Sequence, residues 1–199
     1  MSWVRERRRE KYYRLAKEEG YRSRASYKLI QINEKFNIIR DGINILDLGS
    51  SPGGWSQVIS ELNTHGKNFA VDIIPMEKIE NVNFIRKDIM ADDFPDFILS
   101  KAGGKFNLIL SDILMKASGD SNRDHANSYF IAKRVFDIAL KLLEKNGHVV
   151  VKMLQGDLTQ QLIKEYSKYF REIKITKPPA SSPRSSEIYI LAFGFSGSQ

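Results

Sequence analysis

Residues 44–62 read NILDLGSSPGGWSQVISEL: a short β-leaning apolar run, a loop holding Gly49, Gly53 and Gly54, and a helical pattern from Trp55. A glycine-rich turn from strand to helix is where an open parallel sheet receives a nucleotide, because glycine lets a ligand approach the backbone closely. Spacing narrows the choice of nucleotide. A dinucleotide loop reads G-x-G-x-x-G, whereas here Gly49 is followed by Ser50, Ser51 and Pro52 before Gly53 and Gly54, and Pro52 removes an amide donor that a pyrophosphate would use. The Lys and Ser/Thr of a Walker loop are absent. The loop suits a ligand that carries adenosine without phosphates.

On either side of this loop the chain alternates. Arg24 to Ile39 reads as an amphipathic helix, with Tyr27, Leu29, Ile30 and Phe36 available for an inward face. Strand-like runs lie at 44–48, 68–72, 82–86, 106–111 and 147–152, with helical patterns at 55–62, near 94–99 and across 129–143. This predicts an α/β fold, a mainly parallel sheet with helices on both faces. Leu158 to Phe170 reads as a helix, and Glu172–Lys177 and Glu187–Phe193 as strands joined by PPASSPRSS. That connection is too short and too rich in Pro and Ser for a helical crossover, so the last two strands are expected to be antiparallel.

The 199 residues suit one domain, large enough to bury about 70% of its unfolded surface. No apolar run approaches the ~20 residues of a membrane span, and no export signal opens the chain, so a cytoplasmic protein without membrane contact is expected. The absence of cysteine excludes disulfides and thiolate zinc sites. His65, His125 and His148 lack metal-ligand spacing, and no metal is expected.

Charge is distributed unevenly. Residues 1–40 hold twelve Lys/Arg against five Asp/Glu and the remainder nineteen of each, so the entire net charge of +7 lies at the N-terminus. Trp3, Tyr12, Tyr13, Tyr21 and Tyr27 are interleaved with these cations, a mixture suited to neutralising phosphates and stacking on bases. The alternative is an ion-paired solvated helix, since Glu6/Arg9 and Glu10/Arg14 fall at helical spacing. The expected organisation is a basic helical extension over 1–40 that contacts nucleic acid, a nucleotide-binding main part over 41–195 and a flexible tail over 196–199.

Several ionisable residues end or begin strands. Asp72 closes the second about twenty residues beyond the glycines, where a carboxylate holds ribose hydroxyls. Asp88 follows the third, placed to accept from an adenine amino group. Taken singly, each is equally a turn or N-cap residue. Asp112 follows the fourth strand, Lys152 the fifth, and Glu187 opens the last. A strand running against the others begins beside their C-terminal ends, which predicts that these three meet at the cofactor mouth. Lys152 ends the apolar run of Val149, Val150 and Val151; it is either paired and functional or a lysine snorkelling at the sheet edge.

From Arg22 to Phe195 the chain resembles the FtsJ/RrmJ ribosomal RNA 2′-O-methyltransferases. The resemblance is carried by SRASYKL around Lys28, LDLGSSPGGWSQV at 46–58, Asp72 and Asp88, LSD at Asp112, VVVKMLQG around Lys152, and KP followed by RSSEIYI around Glu187. It implies a Rossmann-like methyltransferase fold with a seven-stranded sheet and a last antiparallel strand. It also implies S-adenosylmethionine as cofactor and a monomer acting on a uridine of large-subunit (23S) ribosomal RNA, free or within a ribosomal particle. Lys28, Asp112, Lys152 and Glu187 match the family's catalytic tetrad. Gly49, Ser51, Pro52, Gly53, Gly54, Trp55, Asp72, Ile73, Asp88, Ile89 and Asp112 match its cofactor side. The sequence departs after the fourth strand, where Ile113-Leu114-Met115-Lys116 replaces the usual Met-Ala-Pro-Asn and alters the acceptor-side lining.

A sulfonium is already a good methyl donor, so the residues must position the reactants in line and activate a weakly acidic hydroxyl. Lys152 is the candidate to polarise the 2′-hydroxyl. Adenine-N6 enzymes carry Asp/Asn-Pro-Pro and an aromatic after the fourth strand, which Asp112-Ile113-Leu114 lacks. Transfer-RNA and cap ribose enzymes share the tetrad, and a non-catalytic RNA-binding protein on this fold has no need of it. A nicotinamide dehydrogenase is disfavoured by the loop spacing.

Overall fold

The computed structural model describes residues 3–115 and 118–197, with side chains from Glu10 onward. The side chains of Trp3, Arg5, Arg7, Arg8 and Arg9, and all of Lys116, lie outside the described residues. The sheet has the order β3-β2-β1-β4-β5-β7-β6. Its strands are β1 (Ile45–Leu48), β2 (Asn68–Asp72), β3 (Val82–Arg86), β4 (Phe106–Ser111), β5 (Leu143–Leu154), β6 (Phe170–Thr176) and β7 (Glu187–Phe195). The chain runs outward from β1 through β2 to β3, then returns to place β4 on the other side of β1, with all these pairs parallel. The loop after β1 therefore opens where the winding reverses, the usual ligand crevice of such sheets. β7 inserts between β5 and β6 and is antiparallel to both.

Strand periodicity divides the core into two layers. Val149 and Val151 point with Leu46 and Leu48 towards α4 (Phe94–Ala102), α5 (Ser121–Leu142) and α6 (Leu158–Tyr166), where Phe136 of α5 joins the same layer. Val150 points with Ile45, Leu108, Leu110 and Tyr189 towards α2 (Ser26–Phe36) and α3 (Gly54–Leu62). Among the described residues, α1 (Trp3–Glu18) lies on α2: Ala16 is buried with Tyr27 and Ala180, and the Tyr12 ring stands 5.3 Å from Tyr27.

Several boundaries differ from the pattern. α2 stops at Phe36 because Asn37 adopts a left-handed conformation (φ 50°) and returns its amide to the Asn33 carbonyl. α5 starts at Ser121, well before Tyr129, since Asp120 caps it by accepting from the Asn122 and Arg123 amides. β5 follows α5 directly, so Leu143 is strand rather than helix, with a register shift opposite Phe106/Leu108. α6 ends at Tyr166, a 3-10 turn covers Ser167–Tyr169, and Phe170 opens β6.

Candidate active site

The glycine loop is built by close approach. Gly49 (φ 74°) donates to the Val71 carbonyl at 2.8 Å, and a Cβ there would stand 2.0 Å from Ile113 Cγ1, so the loop after β4 lies directly on it. The Ser51 amide donates to Asp72 Oδ2 at 2.9 Å, which ties the loop to the end of β2. Pro52, Gly53, Gly54 and Trp55 lie against the stretch from Arg22 to Ser26 that leads into α2. Arg22 donates from Nη1 to the carbonyls of Pro52 (3.3 Å) and Glu77 (2.8 Å), and from Nη2 to that of Lys78 (3.0 Å). Ser26 Oγ donates to the Gly54 carbonyl at 2.9 Å, and Trp55 Nε1 to that of Ala25 at 2.9 Å.

A cavity of about 610 Å³ opens at this sheet edge. Of the residues singled out in the sequence, Gly49, Ser51, Asp72, Ile73, Asp88, Ile89 and Asp112 line it. The aspartates also shape their own turns: Asp72 Oδ1 accepts from the Ile74 amide and Asp88 Oδ1 from the Met90 amide, at 2.9 and 2.8 Å. A carboxylate oxygen has lone pairs to spare after one such bond, so these turn contacts leave capacity for a ligand.

Beside the cavity stand two ion pairs. Lys152 Nζ is 3.1 Å from Asp112 Oδ1, and Lys28 Nζ is 3.1 Å from Glu187 Oε2. Both lysine side chains are only 7% exposed, so Lys152 is paired and buried, not snorkelling. The antiparallel register explains the meeting, since Leu154 lies opposite Glu187 and Lys152 opposite Tyr189. Tyr189 joins the two pairs: its hydroxyl donates to Asp112 Oδ1 at 2.5 Å, and Lys28 Nζ lies 5.7 Å from its ring centroid. Burial, reinforced by the Asp112 carboxylate, pushes the Tyr189 phenol well above its ordinary pKa.

Sequence reasoning missed Tyr189, which reads as an ordinary core aromatic. The available signal was its place two residues after Glu187, on the same strand face. Asp47 was missed as well. It is 1% exposed, accepts from Ser56 Oγ at 2.6 Å, and is raised to about 7 by burial, with Asp112 and Asp72 adding to the rise and Ser56 opposing it. Among the described residues, no group of three or more His, Asp or Glu side chains is arranged to hold a metal ion, and no helix is long and apolar enough to cross a membrane.

The profile of FtsJ-like methyltransferases matches residues 21–195. The chain is 48% identical to a ribosomal RNA large subunit methyltransferase E of Picrophilus torridus, over 92% of this chain and 96% of that one. It is 44% identical to the protein of the same name from Thermoplasma acidophilum, over 96% and 94%. A solved Plasmodium falciparum structure described as a ribosomal RNA methyltransferase superposes with a TM-score of 0.82 at 32% identity, covering 89% of this chain and all of that one. A match of this extent, over a chain whose glycine loop, aspartates and paired lysines sit at one sheet edge, makes the protein a member of the FtsJ-like methyltransferase family.

Proposed function

We propose that this protein transfers the methyl group of S-adenosylmethionine to a ribose 2′-oxygen of large-subunit ribosomal RNA, at a uridine. The observation that carries the reading is the pair of buried Lys–carboxylate contacts, Lys152–Asp112 and Lys28–Glu187, beside a cavity lined by Asp72 and Asp88. Large-subunit ribosomal RNA as the substrate rests on the names of the relatives, and uridine on the family resemblance.

The cavity suits this cofactor in the chemistry of its donor set. Asp72 would take the ribose hydroxyls, Asp88 the adenine amino group, and the apolar Ile73 and Ile89 would line one side of the base. When bound, the cofactor supplies an electrophilic methyl on a sulfonium. The protein's part is to hold and polarise the acceptor. Lys152 Nζ meets the 2′-hydroxyl and, as the free amine, takes its proton while the oxygen takes the methyl group, so that the lysine ends as an ammonium. Asp112 and Tyr189 keep that ammonium in place, while Lys28, anchored by Glu187, adds a second cation. Burial strengthens each contact relative to water.

The test is single-turnover methyl transfer to large-subunit RNA, with 2′-O-methyl mapping of the product. Lys152→Ala is expected to lose at least about 100-fold in rate, consistent with the removal of the group that takes the proton in the transition state. Calorimetric affinity for S-adenosylmethionine should stay within about twofold. A variant transferring at the wild-type rate, or a mark found on a base, would overturn the assignment.

A further inference from the structure

Single exposed apolar side chains need no explanation, but a contiguous set marks a binding surface. Among the described residues nine large hydrophobic side chains are exposed, and six of them line the cavity beside the glycine loop. Two of the six, Phe130 (60% exposed) and Met90 (50%), belong to elements that none of the recognised motifs touches or only borders. Phe130 lies on α5. Its ring meets Tyr129 edge-on at 5.5 Å and otherwise turns towards the cavity.

The α5 residues here follow helical spacing. Asn127, Phe130 and Ile131 line the cavity, and Arg134, at the next position of the same stripe, grips the loop after β3. Arg134 Nε donates to the Ile89 carbonyl at 2.8 Å and Nη2 to that of Ala91 at 2.7 Å. These carbonyls flank Met90, whose amide is held by Asp88 Oδ1. The guanidinium thus spans the turn that presents Asp88, Ile89 and Met90, through two charge-assisted bonds.

We infer that α5 forms the outer wall of the adenine subsite, with Phe130 as a cofactor-contact residue and Arg134 as the positioning residue for the opposite wall. This rests on reading the cavity as the S-adenosylmethionine site. The shared lining favours the adenine over an RNA base as the partner of the ring, since Phe130 faces the same cavity as Asp88, Ile89 and Met90, the turn that Arg134 grips. β3 and β5 are four inter-strand spacings apart, about 19 Å. The Arg134 grip therefore closes at the end of the sheet edge remote from Lys152, where the acceptor must lie.

The experiment uses the full chain, S-adenosylhomocysteine and its hypoxanthine analogue S-inosylhomocysteine, measured by calorimetry, together with KM values for S-adenosylmethionine and RNA. Removing one base–aromatic stack corresponds to about 5- to 100-fold in affinity. Phe130→Ala is expected to weaken both analogues by the same factor in that range, because stacking is indifferent to the 6-substituent, and Phe130→Trp to restore binding. The deficit should appear in the KM for S-adenosylmethionine and be recovered by raising its concentration. Arg134→Leu should weaken S-adenosylhomocysteine and also shrink the preference for adenine over hypoxanthine, since Asp88 loses its support; Arg134→Lys should recover part of both. A merely structural arginine would lower melting temperature without changing that preference. Unaltered S-adenosylhomocysteine affinity in Phe130→Ala with a raised KM for RNA would assign the ring to an RNA base and overturn the inference while leaving the cofactor reading intact. Failure of the wild-type protein to bind S-adenosylhomocysteine would overturn the cofactor reading, and this inference with it.

Discussion

Asp112 holds Lys152 and the Tyr189 hydroxyl on a single carboxylate oxygen, so the phenol and the ammonium share one anchor. Tyr189→Phe removes only the hydroxyl and keeps the ring that packs 5.8 Å from Trp55. A hydrogen bond to a charged group contributes about 1.5–3 kcal/mol, so single-turnover transfer is expected to slow by roughly 10- to 100-fold with cofactor affinity retained. An unchanged rate would make Tyr189 a packing residue. Asp47 poses a different question, because burial lifts it to about 7 while an unfolded aspartate ionises near 3.8. The folded state then binds the proton more tightly than the unfolded one. Its stabilising contribution is complete below pH ~4 and is lost as pH rises from about 4 to about 7, on the order of 4 kcal/mol at most. Asp47→Asn still accepts from Ser56 and cannot ionise. Urea titrations from pH 4 to 8 should therefore show a flatter stability profile for the variant, and profiles that run parallel would refute the shift.

The join between α3 and the segment ahead of α2 determines how the glycine loop and Lys28 are held together. Besides the Arg22, Ser26 and Trp55 contacts, the Arg22 amide donates to Gln57 Oε1 at 2.7 Å and Gln57 Nε2 to the Gly20 carbonyl at 3.0 Å. This packing needs a bare α-carbon at Gly54, where a Cβ would stand 2.3 Å from Ser23 Oγ and 2.9 Å from Ser26 Oγ. Gly54→Ala is expected to cost about 1–3 kcal/mol of stability by overpacking, and to slow transfer because the displaced segment leads into Lys28. Replacing Ser23 by Ala in the same chain removes the nearer clash and should recover part of both. Melting temperature and single-turnover rate check it; strictly additive losses would contradict the contact.

Across the whole molecule the charge is one-sided, with all of the net +7 in the first forty residues. α1 and α2 are fastened beside the loop before β7: Gln31 Nε2 donates to the Tyr12 hydroxyl at 3.0 Å, and the Ala180 amide donates to Gln31 Oε1 at 2.8 Å. On the proposed RNA role for this extension, replacing Arg5, Arg7, Arg8 and Arg9 with Gln should weaken RNA binding and make its salt dependence shallower. The expected change is up to about 0.7–0.9 in log–log slope for each phosphate that is no longer neutralised, with affinity for S-adenosylhomocysteine unchanged. An affinity series in salt measures it. An identical slope would confine the arginines to pairing with nearby glutamates.

The sequence alone determined the glycine loop, the alternation of strands and helices, and the reversal of the last strand, because each rests on local chemistry: glycine's small volume, side-chain periodicity, and a connection too short for a crossover. It also singled out Asp112, Lys152 and Glu187, since charged residues at the ends of apolar strands stand out in any reading. Local patterns could not see the partners. That Lys28 pairs with Glu187 and Lys152 with Asp112 was decided by the insertion of β7 beside β5, a contact between segments far apart in the chain. Tyr189 and Phe130 look like core aromatics in one dimension; one becomes a buried donor and the other an exposed cavity wall only after β7 and α5 are placed. The ends of α5 and β5 were likewise settled by an aspartate cap and a register shift, choices the packed sheet makes where local propensity is indifferent.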